Sequence, residues 1–102
     1  MGYISEIIQW QGYEIEVRFW QDKFKVGRVP ENHISHLEIE CLEPVRSPLP
    51  MTETGYRSHH APTGDILAYD SAVEFVKAWL EHEAQSKEWK QAQEKAKQLT
   101  LF

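Results

Sequence analysis

The sequence predicts an α+β domain: a small antiparallel sheet of three or four strands packed against one C-terminal helix, with a flexible tail behind it. Three observations predict it. Between Tyr13 and Trp20 apolar and polar side chains alternate at period two, the mark of a half-buried strand. His36–Leu42 alternates in the same way, with Leu37, Ile39 and Cys41 on one face and His36, Glu38 and Glu40 on the other. After Asp70, the residues Val73, Val76, Trp79 and Leu80 recur at helical spacing. A length of 102 residues suits one domain.

The elements follow in order. Tyr3–Trp10 is rich in strand formers, and Gln11-Gly12 supplies a turn whose glycine tolerates positive φ. Tyr13–Trp20 returns as the second strand, with Tyr13, Ile15, Val17 and Phe19 inward. Asp22-Lys23 punctuates it, and Phe24–Val29 reads as a third short strand stopped by Pro30. Residues 43–65 hold four of the five prolines and form a long connection, the kind that is usually functional or mobile. Within it Tyr56–His60 reads as a short edge strand. The helix opens at Ser71, with Glu74 three residues on as a capping box and Asp70 at the positive end of the dipole. Beyond Leu80 apolar content thins, and the helix either runs on as a solvated rod or stops near Ser86 and restarts. The organisation is thus one domain over 1–86, a polar helical extension over 87–97 and a terminal segment over 98–102. Trp10, Trp20 and Trp79 fall in elements patterned for a core; Trp89 anchors the helix end or joins an interface.

Composition narrows the function. The net charge of −5 is a poor basis for wrapping DNA unaided. Mean hydropathy is −0.57, and no apolar stretch approaches the ~20 residues of a membrane span. The N-terminal residues lack the cationic start of a signal peptide, and the single Cys41 points to a reducing cytoplasm. No Cys-x-x-Cys or His-Glu-x-x-His pattern marks a metal site, although His33, His36, His59 and His60 are present. Cys41, in register with Leu37 and Ile39, reads as a buried hydrophobe rather than a nucleophile. The expectation is a non-enzymatic protein with no catalytic residue, metal or cofactor.

Two segments carry recognition chemistry. Thr52–His60 groups Tyr56, Arg57, His59 and His60 around Gly55, a candidate second interface for protein or nucleic acid. This body resembles small proteins of bacterial plasmids and other mobile elements, a resemblance that assigns no residue roles. The chain closes on Gln98-Leu99-Thr100-Leu101-Phe102, after a stretch from Lys87 to Lys97 with four lysines against two acids. Exposed apolar residues at a terminus are wasteful for folding alone. The pentapeptide resembles the bacterial sliding-clamp-binding motif, commonly Gln-Leu, then Ser or Asp, then Leu-Phe; Thr100 is its one departure. The resemblance implies that Gln98 hydrogen-bonds the clamp at a pocket rim and that Leu99 fills a side depression. It implies that Leu101 and Phe102 enter the main apolar pocket, with Thr100 as a spacer. The partner expected is the bacterial DNA sliding clamp, with DNA reached only through it, and the protein recruits a partner or blocks the pocket. The rival readings are an interaction module using the Pro-rich loop and sheet face, and a small nucleic-acid-associated regulator of a mobile element.

Overall fold

The computed structural model describes residues 2–99, and their side chains as far as Lys97. Thr100, Leu101 and Phe102 lie outside the described residues, as do the side chains of Gln98 and Leu99. Four strands form one antiparallel sheet in the order of the chain: β1 (Ile4–Trp10), β2 (Tyr13–Phe24), β3 (Ile34–Glu43) and β4 (Tyr56–Pro62). Three helices follow: α1 (Thr63–Leu67), α2 (Ala72–Glu83) and α3 (Lys87–Leu99). The α+β architecture is as the sequence predicts; α1 and a 3-10 turn over Pro30–Asn32 are additions to it.

Period-two alternation sorts the sheet into two faces. Ile8, Trp10, Ile15, Val17, Leu37, Ile39 and Cys41 are buried on one, together with Val76 and Leu80 of α2. The register pairs Ile15 with Cys41, Val17 with Ile39 and Phe19 with Leu37, so these apolar rows stay on one side. The other face carries Arg18, Glu38, Glu40 and their neighbours.

Three local details differ from the sequence-based expectation. Phe24–Val29 is not a third strand. Asp22, at φ 55, sits in a bulge between the Trp20–His36 and Phe24–Ile34 pairs, and β2 runs through it to end at Phe24. The bulge is held by a ring of bonds. The Asp22 amide donates to Ser35 Oγ (3.0 Å), Ser35 Oγ meets Thr63 Oγ1 (2.6 Å), and Thr63 Oγ1 donates to Asp22 Oδ1 (2.6 Å). Trp20 is not in the core; it lies on the opposite face, edge-on to Tyr3 with ring centroids 5.3 Å apart. The Pro-rich connection is packed: Leu49 and Met51 are buried members of the core.

The starts of α2 and α3 obey capping rules. Ser71 Oγ accepts from the Glu74 amide (3.1 Å), which is the first half of the capping box, while the Glu74 carboxylate meets Lys77 (3.5 Å). Of the two alternatives for the helix after Leu80, the second holds: α2 ends at Glu83 and α3 restarts with Ser86 Oγ accepting from the Trp89 amide (3.1 Å). Trp89 is buried against Trp10 and Tyr13, with centroids 6.2 and 6.3 Å away, so it anchors α3 to the first hairpin. Trp10 in turn donates Nε1–H to Glu81 of α2 (2.8 Å).

Two glycines at positive φ make a testable contrast. At Gly55 (φ 75) an added Cβ would lie 2.5–2.7 Å from the Arg46 backbone, whereas at Gly12 (φ 85) nothing lies within 4 Å. Gly55→Ala is expected to cost at least ~2 kcal/mol, from left-handed strain plus the clash. Gly12→Asn is expected to cost less than ~1 kcal/mol, since Asn tolerates this region. Urea unfolding midpoints of the two variants check it, and equal midpoints would refute the close-approach argument.

Candidate functional site

β4 ends the sheet on one side and carries all four residues of the candidate second interface. The strand brings Tyr56, Arg57, His59 and His60 together but divides them. Tyr56, Ser58 and His60 face the open side of the sheet; Arg57 and His59, paired with Ile39 and Leu37, face the helices. They are two surfaces, not one patch.

On the open side a charge network crosses the strands. Arg18 lies among Glu16 (2.6 Å), Glu38 (3.1 Å) and Glu40 (3.2 Å), and Arg46 reaches Glu40 at 3.2 Å. Tyr56 donates its hydroxyl to Glu38 (2.5 Å) beneath the Arg46 guanidinium, 5.4 Å from the ring centroid. That bond, reinforced by Arg18, holds the Glu38 carboxyl below its ordinary range despite burial, and the same bond raises the Tyr56 phenol. Burial alone would lower the Arg18 pKa, but its bonds to Glu38 and Glu40 outweigh that and raise it.

Next to this network stands an imidazole and aromatic cluster. His36 is buried, although its strand position faces outward. Its Nδ1 meets the Tyr3 hydroxyl (2.5 Å), its Nε2 meets Ser58 Oγ (2.6 Å), and its ring stacks on His60 with centroids 4.1 Å apart. A neutral imidazole suits two hydroxyl partners, because one ring nitrogen donates and the other accepts. Burial, then His60 and Lys23, lower the His36 pKa.

On the helix side, His59 lies against Trp79 (4.8 Å) and Phe75 (6.1 Å), and Tyr69 meets Phe75 edge-on (5.3 Å). These rings, with Ala78 and His82, line a cavity of about 380 Å³. Arg57 sits over Trp79 at 5.3 Å and donates to the Met51 carbonyl (3.2 Å). Burial, then Arg57 and His60, lower the His59 pKa. Sequence reasoning missed this groove. Its signal was present: Phe75, Trp79 and His82 recur at i, i+4 and i+7, a second stripe beside Ala72, Val76 and Leu80.

Among the described residues no three His, Cys, Asp or Glu side chains gather to hold a metal. Cys41 is buried, and burial pushes its thiol up. Lys87, Lys90 and Lys95 line a shallow cavity along α3. No helix is long and apolar enough to cross a membrane among the described residues. The pentapeptide Gln98–Phe102 lies outside the described side chains.

These features define a small α+β domain: a four-stranded antiparallel meander, helices on one face, and polar and aromatic side chains on its free face and outer edge. Residues 3–89 match the KlcB third domain, and the chain belongs to that plasmid-related family. No curated protein and no solved structure matches it. Residues 90–102, with most of α3 and the pentapeptide, lie beyond the matched span.

The two lowered histidines set a pH dependence. A histidine whose folded pKa lies below its unfolded value of 6.5 contributes stability that is complete above that value and is lost as pH falls beneath it. The lowered Glu38 acts in the same direction, but only below its ordinary value of 4.5. The melting temperature is therefore expected to fall between about pH 7.5 and 5, before Glu38 contributes. The His36→Gln/His59→Phe double variant is expected to flatten that fall. A wild-type melting temperature that is constant over this window would refute the assignment.

Proposed function

We propose that this chain is a non-enzymatic, plasmid-encoded cytoplasmic protein that docks on the bacterial replication sliding clamp through Gln98–Phe102. The KlcB-type body is then the part that the clamp-bound tail delivers. The observation that carries the reading is the pentapeptide itself: Gln98, Leu99, Leu101 and Phe102 match the common motif, with a small polar residue between.

The architecture supports it. Among the described residues the core runs from Ile8 to Trp89. From Lys90 to Lys97 α3 is exposed except at the half-buried Gln93. At 1.5 Å per residue, the helix carries its end about 15 Å past the Trp89 anchor. Family membership supports the plasmid assignment. A buried, raised thiol at Cys41 is the environment of an inert side chain rather than a nucleophile. Against the nucleic-acid regulator stand the carboxylates of Glu16, Glu38 and Glu40 on the open face.

Burying three side chains of this size contributes roughly 5–9 kcal/mol gross, and association costs about 4 kcal/mol or more. The tail alone is therefore a micromolar ligand at best. The full chain is expected to bind a purified bacterial clamp in that range by surface plasmon resonance. Leu101→Ala/Phe102→Ala is expected to weaken binding about tenfold or more, with an unchanged melting temperature. Unaltered affinity in that variant would overturn the proposal.

A further inference from the structure

Among the described residues β4 has no strand on its outer side, and the bonding pattern tells which backbone groups face it. The Cys41 amide donates to the Gly55 carbonyl (2.8 Å) and the Thr63 amide to the His33 carbonyl (2.7 Å). Both pairs continue the register that sets Leu37 opposite His59. Odd-numbered residues of β4 therefore bond to β3, and the N–H and C=O groups of Tyr56, Ser58 and His60 point outward. Thr52 and Thr54 hydroxyls already donate to the Tyr56 carbonyl (2.8 and 3.1 Å). Among the described residues Ser58 and His60 keep an unpaired ladder edge, which is a template for another strand.

The side chains beside this edge give it specificity. A strand laid along β4 places the residue opposite His59 on the helix side, over the cavity of about 380 Å³ walled by Tyr69, Phe75 and Trp79. The residue opposite Arg57 falls on the same side. Arg57 is exposed and has no carboxylate partner among the described residues. A large apolar side chain fits the first place and a carboxylate the second.

We propose that β4 and the adjoining aromatic groove bind an extended peptide of a partner protein by strand addition. The peptide pairs with Ser58 and His60. It presents a large apolar residue to Tyr69, Phe75 and Trp79 and a carboxylate, two positions away, to Arg57. A second copy pairing through its own β4 is a poor occupant, because the groove-facing residues of that strand are Arg57, His59 and Ala61, with neither an acid nor a large apolar group. Its other edge strand, β1, does carry Ile4 and Glu6 two positions apart, so the test includes self-association. A nucleic acid stacks on aromatic rings but leaves the backbone edge unpaired. The site is independent of the clamp-docking tail.

The test uses the full chain and a labelled extended heptapeptide, acetyl-Thr-Thr-Phe-Thr-Glu-Thr-Thr-amide, followed by fluorescence anisotropy. A counterpart with Glu before Phe covers the parallel orientation. One of the two is expected to bind at roughly 10–100 μM, the range for a single short strand. Methylating the backbone nitrogen that would pair with Ser58, that of the Thr between Phe and Glu in the antiparallel peptide and that of Phe in the parallel one, is expected to weaken binding about tenfold or more. Replacing Phe by Ala in the peptide is expected to do the same. Arg57→Glu is expected to lose the Glu peptide and to regain binding when Lys replaces that Glu. Deleting Gln98–Phe102 is expected to leave peptide binding unchanged, which separates this site from the tail. No binding by either peptide would overturn the proposal, as would indifference to the N-methyl group. Displacement of the peptide by a ten-nucleotide oligo-dT, or by self-association of the chain through β4, would also overturn it.

Discussion

Burial of Ile15, Val17, Leu37 and Ile39 beneath Val76 and Leu80 of α2 is the constraint on which the other features depend. Side chains on a strand alternate, so committing Leu37 and Ile39 inward commits His36, Glu38 and Glu40 outward. A slip of one residue in β3 would drive two carboxylates and an imidazole into the core and expose its fully buried apolar residues. Unpaired buried charge costs several kcal/mol, so the register is strongly specified. The same commitment aligns Glu38 with Arg18 and Ser58, and His36 with Trp20 and His60, and so builds the network and the imidazole cluster. The polar face is thus a consequence of apolar packing on the opposite side.

Where the sheet must change direction, polar groups replace apolar ones. The ring formed by Asp22, Ser35 and Thr63 joins the bulge in β2, the start of β3 and the first turn of α1. Ser35 is fully buried and Thr63 nearly so. Each bond of the ring contributes about 0.5–1.5 kcal/mol net, but an unmatched member would cost more than that. Removing one hydroxyl would therefore release both the bulge and the exit from β4.

Much of the fold was legible in the sequence, because alternation and helical spacing report burial directly. The hairpin turn, β3, the edge strand and the Ser71 cap all lie where those patterns put them. Phe24–Val29 misled because strand propensity says nothing about a partner, and the bulge at Asp22 uses up the pairing one residue into that run. Trp20 misled because a tryptophan in a strand was read as core without counting its parity; it follows Phe19 and so faces the other way. The restart at Ser86 was one of two open alternatives, decided by Trp89 finding Trp10 and Tyr13. Those contacts cross more than seventy residues of sequence and leave no local trace. The groove beside β4 is half legible: Arg57 and His59 stand out in the sequence, but the helical spacing of Trp79 points to the core and says nothing of a groove.

The root of α3 has a mechanical meaning. Trp89 rests on Trp10 and Tyr13, which flank the Gln11-Gly12 turn, and Gln93 reaches the Tyr13 hydroxyl at 3.4 Å. A helix keeps its direction where a coil forgets it, so the line along which α3 leaves the body is set by the first hairpin. The heading of the chain's last described turn is thus written in its first thirteen residues. A change in how β1 and β2 meet, far from α3 in sequence, would swing the far end of that helix.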